Sequence, residues 1–556
     1  MRALFLLVIS LLCWADLSAQ VVPDSIFRDW KPDGPAGVAC VVSKGHVAFI
    51  KGFGLSDVDR KLPNGQNVKY DLASNAKQFT AMCIALLEEQ GKISREDLLK
   101  KYYPTLKIKD DVRIKNLLDH TSGLRDASVL ATLSGKVNLK GEVKKKFNTK
   151  EYYIQCLLSE NDLGYPPGNE MAYNNFNYVL LADIVEKVSH QKFSKFMDSA
   201  IFKPLGMSQT FLRESRGLQF ENESVGYLWR GGNKYKRSDP LGGIVGDHNM
   251  VATVDDLVRW QLNFFDNKLG NKDPQLISKI STPSNLNNGM TSRYGYGLFN
   301  TEYKGVNVVW HGGDDGRQTS MLLCFPDHDL SVIVLANSSR YNVTERVAFQ
   351  LAEVFLQGSL VEPVITKNDF DEFTFIKIDE KELRPRVGMY TRVTPQGLPQ
   401  MIRINIDNGQ LIETWAHSDP GPFLSAVTGS HFVGKTVTNR TISIQFDNDN
   451  SGFVYQFQKN EPVHFAKSGE VRNTLNDYRG RYKNESTSAK IRVKKKGDHL
   501  VARKGILRIP MSDFAKDQFY AYNNDALFTF VRDGKGVVTS VRADAPDFRN
   551  FWFIKK

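Results

Sequence analysis

Apolar positions along this chain fall into three textures. The first is continuous apolarity. Phe79 to Leu87 (F-T-A-M-C-I-A-L-L) is interrupted only by Thr80, and Gly91 follows as a stop. A surface helix carries one apolar stripe, so an unbroken run predicts a helix buried on all sides. Residues 36–52, A-G-V-A-C-V-V-S-K-G-H-V-A-F-I-K-G, predict two apolar strands joined by a tight turn at Lys44-Gly45. Residues 306–336 supply the other half of that antiparallel sheet: V-N-V-V-W, then S-M-L-L-C-F and L-S-V-I-V-L-A joined through Pro326-Asp327-His328.

The second texture is helical spacing. Tyr178, Leu181, Ile184, Val185 and Val188 recur on one face after the Pro166-Pro167-Gly168 turn. I-K-N-L-L-D-H-T-S-G-L (114–124) predicts a short helix ending at Gly123. Thr253 opens another, with acidic residues in its first turn, and a last one is expected from about Thr344 to Leu356, stopped by Gly358. The third texture begins beyond Gly358, where short alternating strands replace helical periods. Two segments there resemble each other, R-V-G-M-Y (386–390) to F-D-N-D-N-S-G-F-V (446–454) and Y-R-G-R-Y (478–482) to F-V-R-D-G-K-G-V-V (530–538). Each opens on Gly-x-Tyr and closes on a glycine hairpin, which predicts two small β-barrel or β-sandwich domains. The expected division is a signal at 1–20, a catalytic domain at 21–362, and β-domains at 363–470 and 471–556.

Composition adjusts this picture in three ways. At 556 residues the chain is too long for one ordinary domain. A net charge of +11 raises the question of nucleic acid, but the lysines are dispersed, with short runs only at Lys144–Lys146 and Lys494–Lys496 and no interleaved aromatics, so a solvated surface is preferred and no nucleic-acid partner is expected. A loose affinity for an anionic envelope surface stays open. Arg2, an apolar run from Ala3 to Trp14 and small residues before Gln20 read as a secretory signal cleaved near Ala19, hence an exported protein, periplasmic or extracellular. The run is too short to span a bilayer, and no second one follows, so no transmembrane span is expected. Cys40, Cys83, Cys156 and Cys324 sit far apart in apolar runs and read as buried free thiols rather than disulfides. No spacing resembles a metal site, and no cofactor is implied.

Candidate chemistry starts at the entrance to the apolar helix, where Ser74 and Lys77 are three residues apart and so share a face. Burying an ammonium without a partner is costly, and a desolvated lysine can take a proton from a neighbouring hydroxyl. The bare S-x-x-K spacing is weak evidence, because it recurs at Ser189 and Lys192 in an ordinary, partly exposed helix. His120 offers a catalytic base, but a histidine satisfying backbone groups at a helix end is the preferred reading. Tyr173 and Asn175 stand just ahead of a helix, where they serve a site or where Asn174 simply caps the helix. His311-Gly312-Gly313-Asp314 follows a strand, and its glycines allow a backbone to approach a ligand closely.

Taken in order, A-S-N-A-K-Q-F-T-A, L-L-D-H-T-S-G-L, P-P-G-N-E-M-A-Y-N-N and His311-Gly312-Gly313 resemble the serine β-lactamase and penicillin-binding-protein superfamily over roughly residues 30–360. The likeness is to its class C-like branch, which also holds D-aminopeptidases, DD-carboxypeptidases and esterases. The resemblance implies an α+β architecture: a β-lactamase-like α/β sandwich, with an antiparallel sheet flanked by helices and an all-helical subdomain, ahead of the two all-β domains. It implies Ser74 as nucleophile, Lys77 as base or proton relay, Tyr173 in the proton traffic, and Asn175 holding Lys77 and a substrate amide. The backbone N–H groups of Ser74 and Asp314, with Gly312 and Gly313, would form the oxyanion site. His311 stands where lactamases of this branch carry lysine; a neutral histidine attracts a substrate carboxylate less than an ammonium does. The expected substrate is therefore a D-amino-acid peptide, amide or ester of the kind found in cell-wall peptide. β-Lactamase or carboxylesterase activity, and a binding protein on a hydrolase fold, are the alternatives. No G-x-S-x-G occurs, which disfavours an α/β-hydrolase. Oligomeric state is left open.

Overall fold

The computed structural model describes residues 21–556, except 128–129, 131–148, 216, 232, 241, 361–372 and several loops between 394 and 547. The signal segment at 1–20 and the run Lys144–Lys146 lie outside the described residues. By contact density the chain forms two compact units. One is Met1–Leu86, Ser194–Thr282 and Gly297–Val361; the other is Leu87–Phe193, Pro283–Tyr296 and Glu362–Lys556.

The first unit is built on an antiparallel sheet of β1 (Gly37–Ser43), β2 (His46–Phe53), β3 (Leu298–Tyr303), β4 (Val306–Asp314), β5 (Thr319–Phe325) and β6 (Leu330–Ala336), which lie in the order β3-β4-β5-β6-β1-β2. Every residue of β5 and β6 is buried, as the continuous apolarity of both runs requires, because helices cover both faces. On one face Ala39, Met321, Leu323, Val332 and Val334 pack with Val343, Val347 and Leu351 of the helix Tyr341–Phe355. On the other, Ser331 Oγ lies 3.5 Å from Gln261 Oε1 of the helix Val254–Leu262. Thr253 caps that helix, its side chain accepting from the Asp256 N–H. The helix Ala76–Glu89 carries the unbroken apolar run; Phe79 to Leu87 are almost entirely sequestered, and the Phe79 ring stacks on Trp260 at 4.0 Å.

In the second unit the helix expected to reach Gly123 is only Ile114–Leu118. His120 adopts φ 56°, a left-handed conformation that ends the helical path five residues early. The helix Asn175–Ser189 is capped by Asn174, whose side chain accepts from the Phe176 N–H at 2.9 Å. Its own end is the left-handed His190 at φ 58°, so Lys192 lies beyond the helix rather than inside it. All four described cysteines are free and buried.

The C-terminal strands form two closed barrels, Gly388–Val393 to Val463–Lys467 and Gly480–Lys483 to Phe548–Lys555. Their likeness reaches atomic detail. The Tyr390 hydroxyl donates to Arg386 O and the Tyr482 hydroxyl to Tyr478 O, both at 2.8 Å. Lys467 lies over the Tyr390 ring and Lys555 over the Tyr482 ring. A Cβ on Gly388 would come 2.8 Å from Lys467 Cε, and one on Gly480 2.9 Å from Lys555 Cε. The Gly-x-Tyr signature therefore marks the closing strand pair of each barrel: glycine admits the lysine stem, and the tyrosine ties the entry turn.

Candidate active site

Ser74 sits on the tight turn Ala73–Asn75 that leads into the buried helix. Ala73, ahead of it, holds φ 47°, which costs a non-glycine residue about 1–2 kcal/mol. A buried chain of hydrogen bonds compels that geometry. Trp260 Nε1 donates to Gln78 Oε1 (2.6 Å), Gln78 Nε2 to Asn75 Oδ1 (2.9 Å), Asn75 Nδ2 to Ser320 Oγ (2.8 Å), and Ser320 Oγ to Leu72 O (2.7 Å). Lys77, on the helix's first turn, is fully buried. Its Nζ donates to Ser74 Oγ at 3.0 Å and to the Asp247 carbonyl at 2.9 Å. A buried lysine nitrogen within hydrogen-bond reach of a hydroxyl is the arrangement a nucleophile and, as the neutral amine, its proton acceptor need.

The Asp247 side chain pairs with His248 at 2.7 Å. Burial opposes its ionisation, but His248 and Lys77 outweigh burial and hold the carboxyl below its usual range; the His248 imidazole is raised in turn by Asp247 despite burial. G-G-I-V-G-D is visible in the sequence, but nothing local marks Asp247 as a lysine partner.

Strand β4 lies against the Ser74 turn with no room to spare. A Cβ at Gly313 would overlap Leu72 O and Ser320 Oγ, and one at Gly312 would overlap the Tyr341 hydroxyl. Gly313 thus serves the close approach between strand and turn, Gly312 leaves room for Tyr341 of the helix Tyr341–Phe355, and Asp314 is exposed at the strand's end. His311 is buried. Its Nδ1 is 2.6 Å from Gly312 O, so Nδ1–H donates to that carbonyl. Burial, together with the Lys77 charge, pushes the imidazole down to about 3, so it is neutral at ordinary pH. Behind this face Arg317 Nη2 bridges Asp71 (2.8 Å) and Asp315 (2.9 Å), and Arg213 pairs with Glu223. Burial pushes Asp315 up to about 6. The arginine ties the segment entering the Ser74 turn to the turn leaving Asp314.

The remaining sequence candidates belong to the second unit. Tyr173 is half-buried in the loop before the helix Asn175–Ser189, with its ring 4.4 Å from His120 and 6.1 Å from Tyr294. His120 is fully buried, and its Nδ1 accepts the Asn174 N–H at 3.2 Å. The Ala172 N–H donates to His120 O. His120 thus braces the tyrosine loop, in keeping with the backbone-satisfying reading. Asn174 both caps the helix and donates to Leu124 O (2.7 Å), while Asn175 is exposed on the first turn. The structure brings Ser74, Lys77, Asp247 and the His311 strand together in one unit, and Tyr173 with His120 in the other. Among the described residues no group of three or more His, Cys, Asp or Glu is arranged to hold a metal. No helix among them is long and apolar enough to cross a membrane.

The sequence pattern of the Beta-lactamase family matches residues 28–357. Penicillin-binding protein 4* of Bacillus subtilis is 32% identical over 342 residues, which cover 58% of this chain and 72% of that protein. Protein flp of Staphylococcus aureus is 27% identical over 316 residues, 54% of this chain and 59% of flp, so the chain spans about three fifths of that relative's length. Among solved structures, the octameric penicillin-binding protein homologue from Pyrococcus abyssi superposes with a TM-score of 0.55 at 22% identity, covering 80% of this chain and 98% of that one. At that identity the likeness is one of fold.

Proposed function

This chain belongs to the Beta-lactamase family, and on that premise we propose that it is an exported serine hydrolase working through an acyl-enzyme on Ser74. The observation that carries the reading is the Ser74–Lys77 pair, 3.0 Å apart, with the lysine buried and anchored on Asp247 O. Lys77 takes the hydroxyl proton as Ser74 Oγ attacks a carbonyl carbon. The Ser74 and Asp314 N–H groups receive the developing oxyanion; removing one such donor costs on the order of a hundredfold in rate. Lys77 then gives its proton to the leaving group, and water releases the acyl group.

His311 supports the choice of substrate. A neutral imidazole brings no positive charge, which suits D-amino-acid peptides, amides or esters better than β-lactams whose carboxylate needs a cation. The name of the B. subtilis relative makes penicillin the natural second probe. Intact-mass measurement after exposure to a fluorophosphonate, and separately to a penicillin, tests the reading. Adducts on wild type and none on Ser74→Ala are expected. No adduct with either reagent on wild type would sink it, and faster turnover of a cephalosporin than of D-alanyl substrates would overturn the substrate preference.

A further inference from the structure

The second barrel carries a feature that its fold does not require. Its strand register sets Arg481 opposite Arg492, Arg492 opposite Arg503, and Arg503 opposite Arg508. Directly opposed residues of antiparallel strands point to the same side with Cβ atoms about 4.5–5.5 Å apart, so the four guanidinium stems form one row about 15 Å long across the outer wall. Arg481, Arg492 and Arg508 are exposed and Arg503 is half-buried between them. Among the described residues none of the four forms an ion pair, whereas Arg532 of the same barrel pairs with Asp517 at 2.8 Å and Arg542 with Asp544 at 2.7 Å. Lys483 opposite Lys490 extends the charge by a second rung. The crowding is felt locally, since Arg492 and Arg503 lower the affinity of Lys494 for its proton.

Like charges set directly opposite one another destabilise a sheet. The first barrel shows that the architecture does without them: with Gly388 and Gly480 matched, its corresponding row reads Met389, Arg403, Thr414. Beside the second rung Ile554 is opposite Lys483 and exposed. An exposed aliphatic beside a basic row suits an interface that takes apolar groups below a plane of anions, whereas single-stranded nucleic acid calls for exposed aromatic stacking platforms.

We propose that this arginine row is a docking surface for an anionic phospholipid membrane, holding the protein peripherally by its last domain. The reading is independent of the chemistry at Ser74. Co-sedimentation of the full chain with vesicles of phosphatidylcholine alone, and of phosphatidylcholine mixed with phosphatidylglycerol, tests it. Binding only to the mixed vesicles, weakened by salt, is expected. The triple variant Arg481→Gln, Arg492→Gln, Arg508→Gln should partition about a hundredfold less, at roughly a factor of five per arginine. Its thermal midpoint should not fall, because the change relieves repulsion, and its Ser74 labelling by fluorophosphonate should equal wild type. Arg403→Gln in the first barrel should leave vesicle binding intact, and Ile554→Ser should weaken it severalfold. Equal partition onto both vesicle types, or wild-type partition by the triple variant, would overturn the proposal. So would tight binding to heparin, lost in the triple variant, without vesicle binding; the partner would then be a soluble polyanion.

Discussion

Two places in this molecule share the spacing S-x-x-K, and they could hardly differ more. At Ser74 and Lys77 the lysine is fully buried and donates to the serine hydroxyl and to a carbonyl. At Ser189 and Lys192 the serine ends a helix and accepts from the Gln191 N–H, His190 turns the chain into a left-handed conformation, and the lysine is exposed. A surface ammonium keeps its hydration and has no reason to share a proton with a hydroxyl; a buried one has lost that hydration and is defined by its partners. Desolvation distinguishes the two pairs, and spacing does not.

The strongest way to break this comparison is to truncate both serines. Ser74→Ala should lower hydrolysis of any substrate by at least about a thousandfold, while Ser189→Ala leaves kcat and KM unchanged; equal effects would erase the distinction. Next in size is the ion bridge behind the first site. Arg317→Met strands the Asp71 and Asp315 carboxylates and should cost about 3–5 kcal/mol in urea unfolding. Gly313→Ala forces β4 off the Leu72 carbonyl and should cost about 1–3 kcal/mol, with acylation slowed in the folded fraction. Gln78→Ala breaks the chain from Trp260 to Asn75 and should cost about 1–2 kcal/mol, a loss that no surface position near Lys192 would show.

The smallest effect sharpens the electrostatics. His311 binds its proton at about 3 when folded against 6.5 when exposed, so the unfolded chain takes up the proton first as pH falls. Its contribution is fully present above 6.5 and is lost progressively between 6.5 and 3. Unfolding free energies measured down that range should fall less steeply for His311→Asn than for wild type; identical slopes would mean that the imidazole is not buried as described.

Much of this was legible along the chain. The run Phe79–Leu87 announced its burial because nothing polar interrupts it, and the Lys44-Gly45 turn and the Gly-x-Tyr repeats carried local signatures of strand ends. Helix ends were less legible. His120 stops a helix that its neighbours in sequence would have continued to Gly123, since its ring is wanted under the Asn174 N–H, more than fifty residues on. At the start of the helix Asn175–Ser189, Asn174 is buried as the cap and Asn175 is exposed, because adjacent residues at a helix start face opposite environments.

Sequence alone therefore determined the elements, the order of the motifs and the pairing of Ser74 with Lys77, all of which rest on interactions between residues a few positions apart. Tertiary structure decided what those elements do to one another. Lys77 finds its second partner 170 residues away, Arg317 joins carboxylates from distant segments, and four arginines from separate strands fall into one row only when the barrel closes in that register. Propensity and periodicity are properties of neighbours along the chain. Desolvation, ion pairing and cross-strand register arise only when distant segments meet, and these set the charge state and the reach of every group the chemistry uses.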